Sequence, residues 1–165
     1  LGGRTTKLEG WKNVDLYEGD GVDIRADASK LFMVKDQTVS EIYASHILEH
    51  FSHTKTVDVL KEWHRVLKPG GKVYISVPDF DAMIKLYQTM GLAPFIRNML
   101  YGDQGYDLAY HYNAFTFRTL AVDCVKAGFS DIKELERMPY GIKDCSTNVD
   151  TLTQKPISVS IEAIA

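Results

Sequence analysis

The chain has 165 residues, 45% of them apolar and 25% charged, and a formal net charge of −3, the balance of one soluble globular domain long enough to bury a core. No basic field is present to draw nucleic acid or an anionic membrane, and no apolar run approaches the roughly 18 residues of a membrane span. The two cysteines, Cys124 and Cys145, make neither a disulfide framework nor a zinc site, and no charged-then-apolar leader is seen, so a reducing cytoplasm is the expected setting.

Short strand-like runs alternate with helical stretches, the pattern of a mostly parallel sheet covered by helices. Lys12 to Leu16 and Val22 to Asp27 read as two short strands, each ending near an acid, and Val39 to Ala44 as a third. A helix is expected from Thr54 to Leu67, with Val57, Leu60, His64 and Leu67 at helical spacing and Trp63 flanking that stripe. It stops at Lys68-Pro69-Gly70-Gly71, where proline cannot continue a helix and glycine permits the turn. Lys72 to Val77 is the best strand, β-branched and aromatic. Asp81 to Met90 reads as a helix. Residues 91–115 mix glycine and proline with six aromatics; they read as an insertion over the sheet edge, serving either as core packing or as a substrate lid. A further helix spans Phe117 to Ala127, with Thr116 as N-cap, Leu120, Cys124 and Ala127 on one face, and Gly128 just past its end. Ser130 to Arg137 and Ile157 to Ile164 read as strands. The whole chain, 1–165, reads as one domain.

In an open parallel sheet, ligands bind at the carboxyl ends of the strands. Asp15 ends one such strand, where a carboxylate can accept from two ribose hydroxyls. Asp27, followed by Ala28, ends the next; it suits an adenine amino group or a helix N-cap equally. After the third strand comes Ser45-His46-Ile47-Leu48-Glu49-His50, a polar cluster that also spells H-x-x-E-H. The inverted zinc-peptidase site with that spelling needs both histidines on one face of a continuous helix and a distant third ligand. Here the preceding run is a strand and Ser52 interrupts, so no metal is expected.

The stretch YASHILEHFSHTKTVDVLKEWHRVLKPGGKVYISVPDF resembles the central part of class I S-adenosylmethionine-dependent methyltransferases of the type 11-like group. GWKNVDL and DIRADASKL resemble the ends of that family's second and third strands, and HYNAFTFRTLAVDCVKAGFSDIKELE its late helix and sixth strand. The resemblance implies a Rossmann-like α/β fold, a mostly parallel sheet with a C-terminal antiparallel strand and helices on both faces. It implies S-adenosyl-L-methionine as cofactor. By position, Gly2 and Gly3 match the end of the glycine-rich loop, Asp15 with Leu16 the ribose-binding segment, Asp27 and Ala28 the adenine-binding pair, and Ser45 and His46 the segment lining the methionine end. It further suggests a small-molecule acceptor, in a glycan or secondary-metabolite pathway.

Methyl transfer to oxygen or nitrogen can call for a general base. His46, His50 and His111 are the candidates, because histidine titrates near neutral pH; His111, between Tyr110 and Tyr112 in the insertion, is favoured. A nicotinamide oxidoreductase would need G-x-G-x-x-G after its first strand, which this sequence lacks. Two departures from the family stand out. The sequence opens at Leu1-Gly2-Gly3, without the family's first strand, and only eleven residues separate Gly3 from Asp15, so the first crossover helix is short or missing. The other reading is therefore an inactive Rossmann-like module that binds a partner. Self-association into a homodimer through the unpaired sheet region is expected in either case.

Overall fold

A computed structural model describes residues 1–2, 8–150 and 154–165. In chain order the elements are β1 (Val14–Asp15), β2 (Ile24–Arg25), β3 (Val39–Ser45), α1 (Thr56–Val66), β4 (Leu67–Pro78), α2 (Phe80–Met90), α3 (Pro94–Tyr101), α4 (Phe117–Ala127), β5 (Ser130–Leu135) and β6 (Ser158–Ile164). One sheet has the order β3-β4-β6-β5. β3 and β4 are parallel, with Tyr43 opposite Tyr74 and Ala44 opposite Ile75. β6 runs antiparallel to β4 from Lys72↔Ile164 to Pro78↔Ser158, and antiparallel to β5. The expected mixed α/β fold and the closing antiparallel hairpin are both present.

β1 and β2 form a separate parallel pair. Leu1 and Gly2 lie between that pair and the larger sheet: the Leu1 ammonium donates to Tyr43 O at 2.5 Å, and Gly2 N–H donates to Val14 O at 2.8 Å. The first two strands are shorter than the sequence suggests, and their own acids end them. Asp15 Oδ1 accepts from Tyr17 N–H at 2.9 Å, and Asp27 Oδ1 accepts from Ser29 N–H at 2.8 Å. Each carboxylate thus offers the backbone a turn in place of a continued ladder.

α1 begins two residues later than expected and ends at Val66, because Leu67 already pairs with Val39 in the sheet. Its buried face is Val59, Leu60, Trp63 and Val66. The stripe read from the sequence was rotated: Trp63, placed at its flank, is fully buried, while His64 is only half-buried. The indole explains this, since its Nε1–H donates to Ala28 O at 2.8 Å while the ring fills the core. α4 follows expectation. Thr116 and Thr119 form a reciprocal capping box, Leu120, Cys124 and Ala127 face the core, and Gly128 closes the helix at φ +107°.

The core joins β3, β4 and β6 to α1 and α4 through Ala44, Ile75, Ile161, Leu60 and Leu120, each 0% exposed. Residues 91–115 contain a helix, α3, that the sequence did not disclose. The insertion folds over the loops at the carboxyl end of the sheet: Tyr112 N–H donates to Glu49 O at 2.8 Å, and Asn113 Nδ2 donates to Thr56 Oγ1 at 2.9 Å. Phe115, 1% exposed, anchors its end beside Asp79. Among the described residues no helix is long and apolar enough to cross a membrane.

Candidate active site

The parallel pair β1 and β2 delivers Asp15 and Asp27, and β3, parallel to β4 in the larger sheet, delivers Ser45, each at or just past its strand's carboxyl end. Asp15 is largely buried, at 9% exposure, and Leu16 beside it is open to solvent. Asp27 uses a single oxygen, Oδ1, to hold both Ser29 N–H and Ser29 Oγ (2.8 and 2.7 Å). Ala28 is buried and pinned by Trp63. The Ser45 hydroxyl is buried without a hydrogen-bond partner among the described residues. An orphaned buried hydroxyl carries a desolvation cost that a ligand can relieve.

Gly2 stands beside the loop after β3 at φ +72°, where a Cβ would come within 3.3 Å of Ile47 Cδ1. Its left-handed conformation favours glycine, and a Cβ would press on the Ile47 side chain, so glycine leaves bare backbone at this point. Gly3 lies outside the described residues.

Next to Ser45, His46 has the left-handed φ of +51°, a conformation uncommon outside glycine and typical of functional turns. It engages both ring nitrogens: Nε2 lies 2.9 Å from Ser158 Oγ, and Nδ1 lies 3.2 Å from Glu49 Oε1. A single helical turn, Leu48–His50, follows and buries Glu49 to 1% exposure. The insertion then brings His111 to His50, with the rings edge-on at 4.9 Å between centroids. His50 Nδ1 is 3.0 Å from Tyr110 O, and His111 Nδ1 is 2.8 Å from Met99 O. Burial pushes the His111 imidazole below its ordinary pKa, with the Glu49 carboxylate pulling it back upward.

The three histidines expected as base candidates are thus gathered at one place, the carboxyl end of β3. They differ in surroundings, since His46 is hydrogen-bonded at Nε2 with Nδ1 facing the Glu49 carboxylate, and the other two are hydrogen-bonded at Nδ1. A cavity of about 550 Å³ adjoins His50, lined also by Ser29, Lys30, Lys55, Asp58 and Tyr112 among others. It runs from the turn after Asp27 to His50. Sequence reasoning missed Glu49, whose burial follows from the turn after β3, and Tyr17, which meets Tyr106 of the insertion edge-on at 6.5 Å.

Residues 7–75 match the family model described as a methyltransferase domain. The chain has the fold of class I methyltransferases. Among solved structures, this domain is similar to a SAM-dependent methyltransferase from Archaeoglobus fulgidus, with 17% identity and a TM-score of 0.59 over 92% of this chain and 74% of that one. It is also similar to a SAM-dependent methyltransferase from Methanosarcina mazei, with 20% identity and a TM-score of 0.55 over 90% and 69%. A third is the Burkholderia thailandensis 1,6-didemethyltoxoflavin-N1-methyltransferase, solved with its substrate and S-adenosylhomocysteine, with 15% identity and a TM-score of 0.55 over 92% and 59%. At such identities the likeness is one of fold. No curated protein matches the chain by sequence.

Proposed function

We propose that this domain binds S-adenosylmethionine and transfers its methyl group to a small-molecule acceptor. The observation that carries the reading is that Asp15, Asp27 and Ser45 each stand at or just past the carboxyl end of a strand, with Leu1 and Gly2 bridging from Tyr43 to Val14 and Gly2 lying against the loop after β3. The residues fit the cofactor. The Ser45 hydroxyl, partnerless among the described residues, and the bare left-handed backbone at Gly2 offer polar atoms and close approach at the methionine end. Asp15 would hold the ribose hydroxyls. Asp27 keeps its Asx turn on Oδ1 alone, which leaves Oδ2 for the adenine amino group, with the Ala28 backbone beside it.

When bound, the cofactor supplies an electrophilic methyl group for in-line displacement. The chain's own part is chiefly orientation and exclusion of water. The insertion, seated on Glu49 and Thr56 and reaching Tyr17 through Tyr106, would cover the acceptor as a lid. His50 and His111, each with Nδ1 against a backbone carbonyl, keep Nε2 for the acceptor side, where an imidazole can take a proton from oxygen or nitrogen. The experiment is calorimetric titration of the chain with S-adenosylhomocysteine, wild type against Asp15→Ala and Ser45→Ala. Saturable binding weakened by both variants supports the reading; no heat at millimolar ligand sinks it.

A further inference from the structure

Glu49 is the least expected charge in the molecule. Its side chain is 1% exposed, and neither carboxylate oxygen has a hydrogen-bond partner among the described residues. His46 Nδ1 stands 3.2 Å from Oε1, close enough to feel the charge but off the line of a hydrogen bond. Burying a carboxylate in this way is costly unless a positive partner compensates.

Two histidines surround it, and their protonation follows from geometry. A carbonyl oxygen only accepts, so His50 Nδ1 and His111 Nδ1, at 3.0 and 2.8 Å from Tyr110 O and Met99 O, must carry protons. In the neutral ring the lone pair is then on Nε2 in both, the same lone pairs given above to the acceptor, so an ion bound there replaces that proton-accepting role. Ligating histidines are commonly fixed this way, with the outer nitrogen donating to a backbone carbonyl. One ligand atom from each of Glu49, His50 and His111 falls within a span of 4.8 Å. Ligand atoms around an ion with bonds near 2.1 Å stand about 3.0–3.4 Å apart, so side-chain rotations of about an ångström close the set. Two imidazoles and a carboxylate suit a divalent first-row transition ion, with coordination positions left open.

We propose that Glu49, His50 and His111 form a binding site for one divalent transition-metal ion, with His46 positioning the Glu49 carboxylate. The H-x-x-E-H spelling is read differently here from the peptidase pattern. His46 is turned away to Ser158 and Glu49, Glu49 itself becomes a ligand, and the third ligand comes from the insertion. The site would also tie residues 91–115 to the loop after β3, so that the ion staples the covering segment to the sheet.

The test uses the full chain stripped with chelator and titrated with Zn²⁺ and Co²⁺, without cofactor or acceptor, so that it stands apart from the methyl-transfer reading. One equivalent of Co²⁺ should give visible d–d absorption, and Zn²⁺ should compete it away. His111→Gln and Glu49→Gln should each weaken binding at least tenfold, and His53→Gln should leave it unchanged. His46→Gln should weaken it less than either ligand change, with the same final spectrum. Circular dichroism of each apo variant confirms folding, and His111, unlike the buried Glu49, is partly exposed. Absence of stoichiometric Co²⁺ uptake overturns the proposal, as does uptake that survives both His111→Gln and Glu49→Gln. A third overturning result is a Glu49–histidinium pair, seen by NMR as a doubly protonated ring at neutral pH that metal does not displace.

Discussion

The Trp63 indole N–H donates to the carbonyl of Ala28 over 2.8 Å, and both residues are buried. α1 is thereby fastened to the turn that follows β2, the turn in which Asp27 stands. A helix that packs the core and the loop that carries Asp27 are joined by one hydrogen bond.

Trp63→Phe tests that joint. Phenylalanine keeps much of the packing but leaves the Ala28 carbonyl without its donor in the interior. The cost of an unsatisfied buried acceptor is about 1–3 kcal/mol, so chemical denaturation should show a loss in that range. Because Ala28 adjoins Asp27, S-adenosylhomocysteine affinity should fall as well. A stability loss with unchanged affinity would mean that the turn holds its shape without the tryptophan.

Asp15→Ala addresses the ribose end. Hydrogen bonds to a charged group contribute about 1.5–3 kcal/mol, so calorimetry should record an affinity loss of that size. The carboxylate also holds Tyr17 N–H, and Asp15→Asn, which keeps an acceptor oxygen, separates the two roles. If ribose binding needs the charge, Asn should bind nearly as weakly as Ala while melting like the wild type.

Much of this arrangement was legible in the sequence, for physical reasons that differ from place to place. Lys72 to Val77 reads as a strand because its β-branched run sits between Gly70-Gly71 and Pro78, and the structure extends it through Leu67–Pro78. α4 was readable because its signals are local: Thr116 before it, Gly128 after it, and three apolar residues at helical spacing. α1's face was misread because a tryptophan with a polar edge can bury fully once it finds an acceptor, and Ala28 is 35 positions away. α3 was hidden because Gly91 and Pro94 read as loop, whereas Pro94 is the first residue of the helix, the position proline tolerates best. At the candidate site, the strand-end acids were visible one by one. The approach of His111 to Glu49 and His50 was not, because it depends on where an aromatic insertion lands.

Gly128→Ala should destabilise the fold. The residue closes α4 at φ +107°, and a Cβ there would stand 3.2 Å from His64 Nε2 on α1. A side chain in the left-handed region costs roughly 1–2 kcal/mol, and the histidine contact adds to it. Thermal unfolding should show a lower midpoint. Gly128→Asn, which tolerates this conformation better, should recover the backbone part only, leaving the contact with His64. Equal loss in both variants would assign the whole effect to crowding.

The last expectation concerns acid stability and rests on Glu62. Its carboxylate accepts from Arg65 twice, at 2.8 Å to Oε2 and 2.7 Å to Oε1, and from Leu31 N–H at 2.7 Å. Arg65 in turn binds the Leu31 and Val34 carbonyls and pairs with Asp36, so the cluster fastens the segment between β2 and β3 to α1. The hydrogen bonds from Arg65 chiefly hold the Glu62 carboxyl below its ordinary pKa of 4.5, with help from Leu31 N–H, against an opposing push from burial. A carboxyl lowered on folding takes up a proton more readily in the unfolded chain. Its stabilisation is therefore complete above the unfolded pKa and is lost as pH falls from about 4.5 through the lower folded value. Glu62→Gln should cost about 1.5 kcal/mol at neutral pH, the low end for hydrogen bonds to charged groups, because the arginine is partly in solvent and screened. The gap between wild type and variant should stay constant from pH 7 to pH 5 and narrow below about pH 4.5. Denaturation curves at pH 7, 5, 4 and 3 measure it. A gap that stays the same down to pH 3 would mean that glutamine loses packing alone and that the carboxylate's charge contributes nothing.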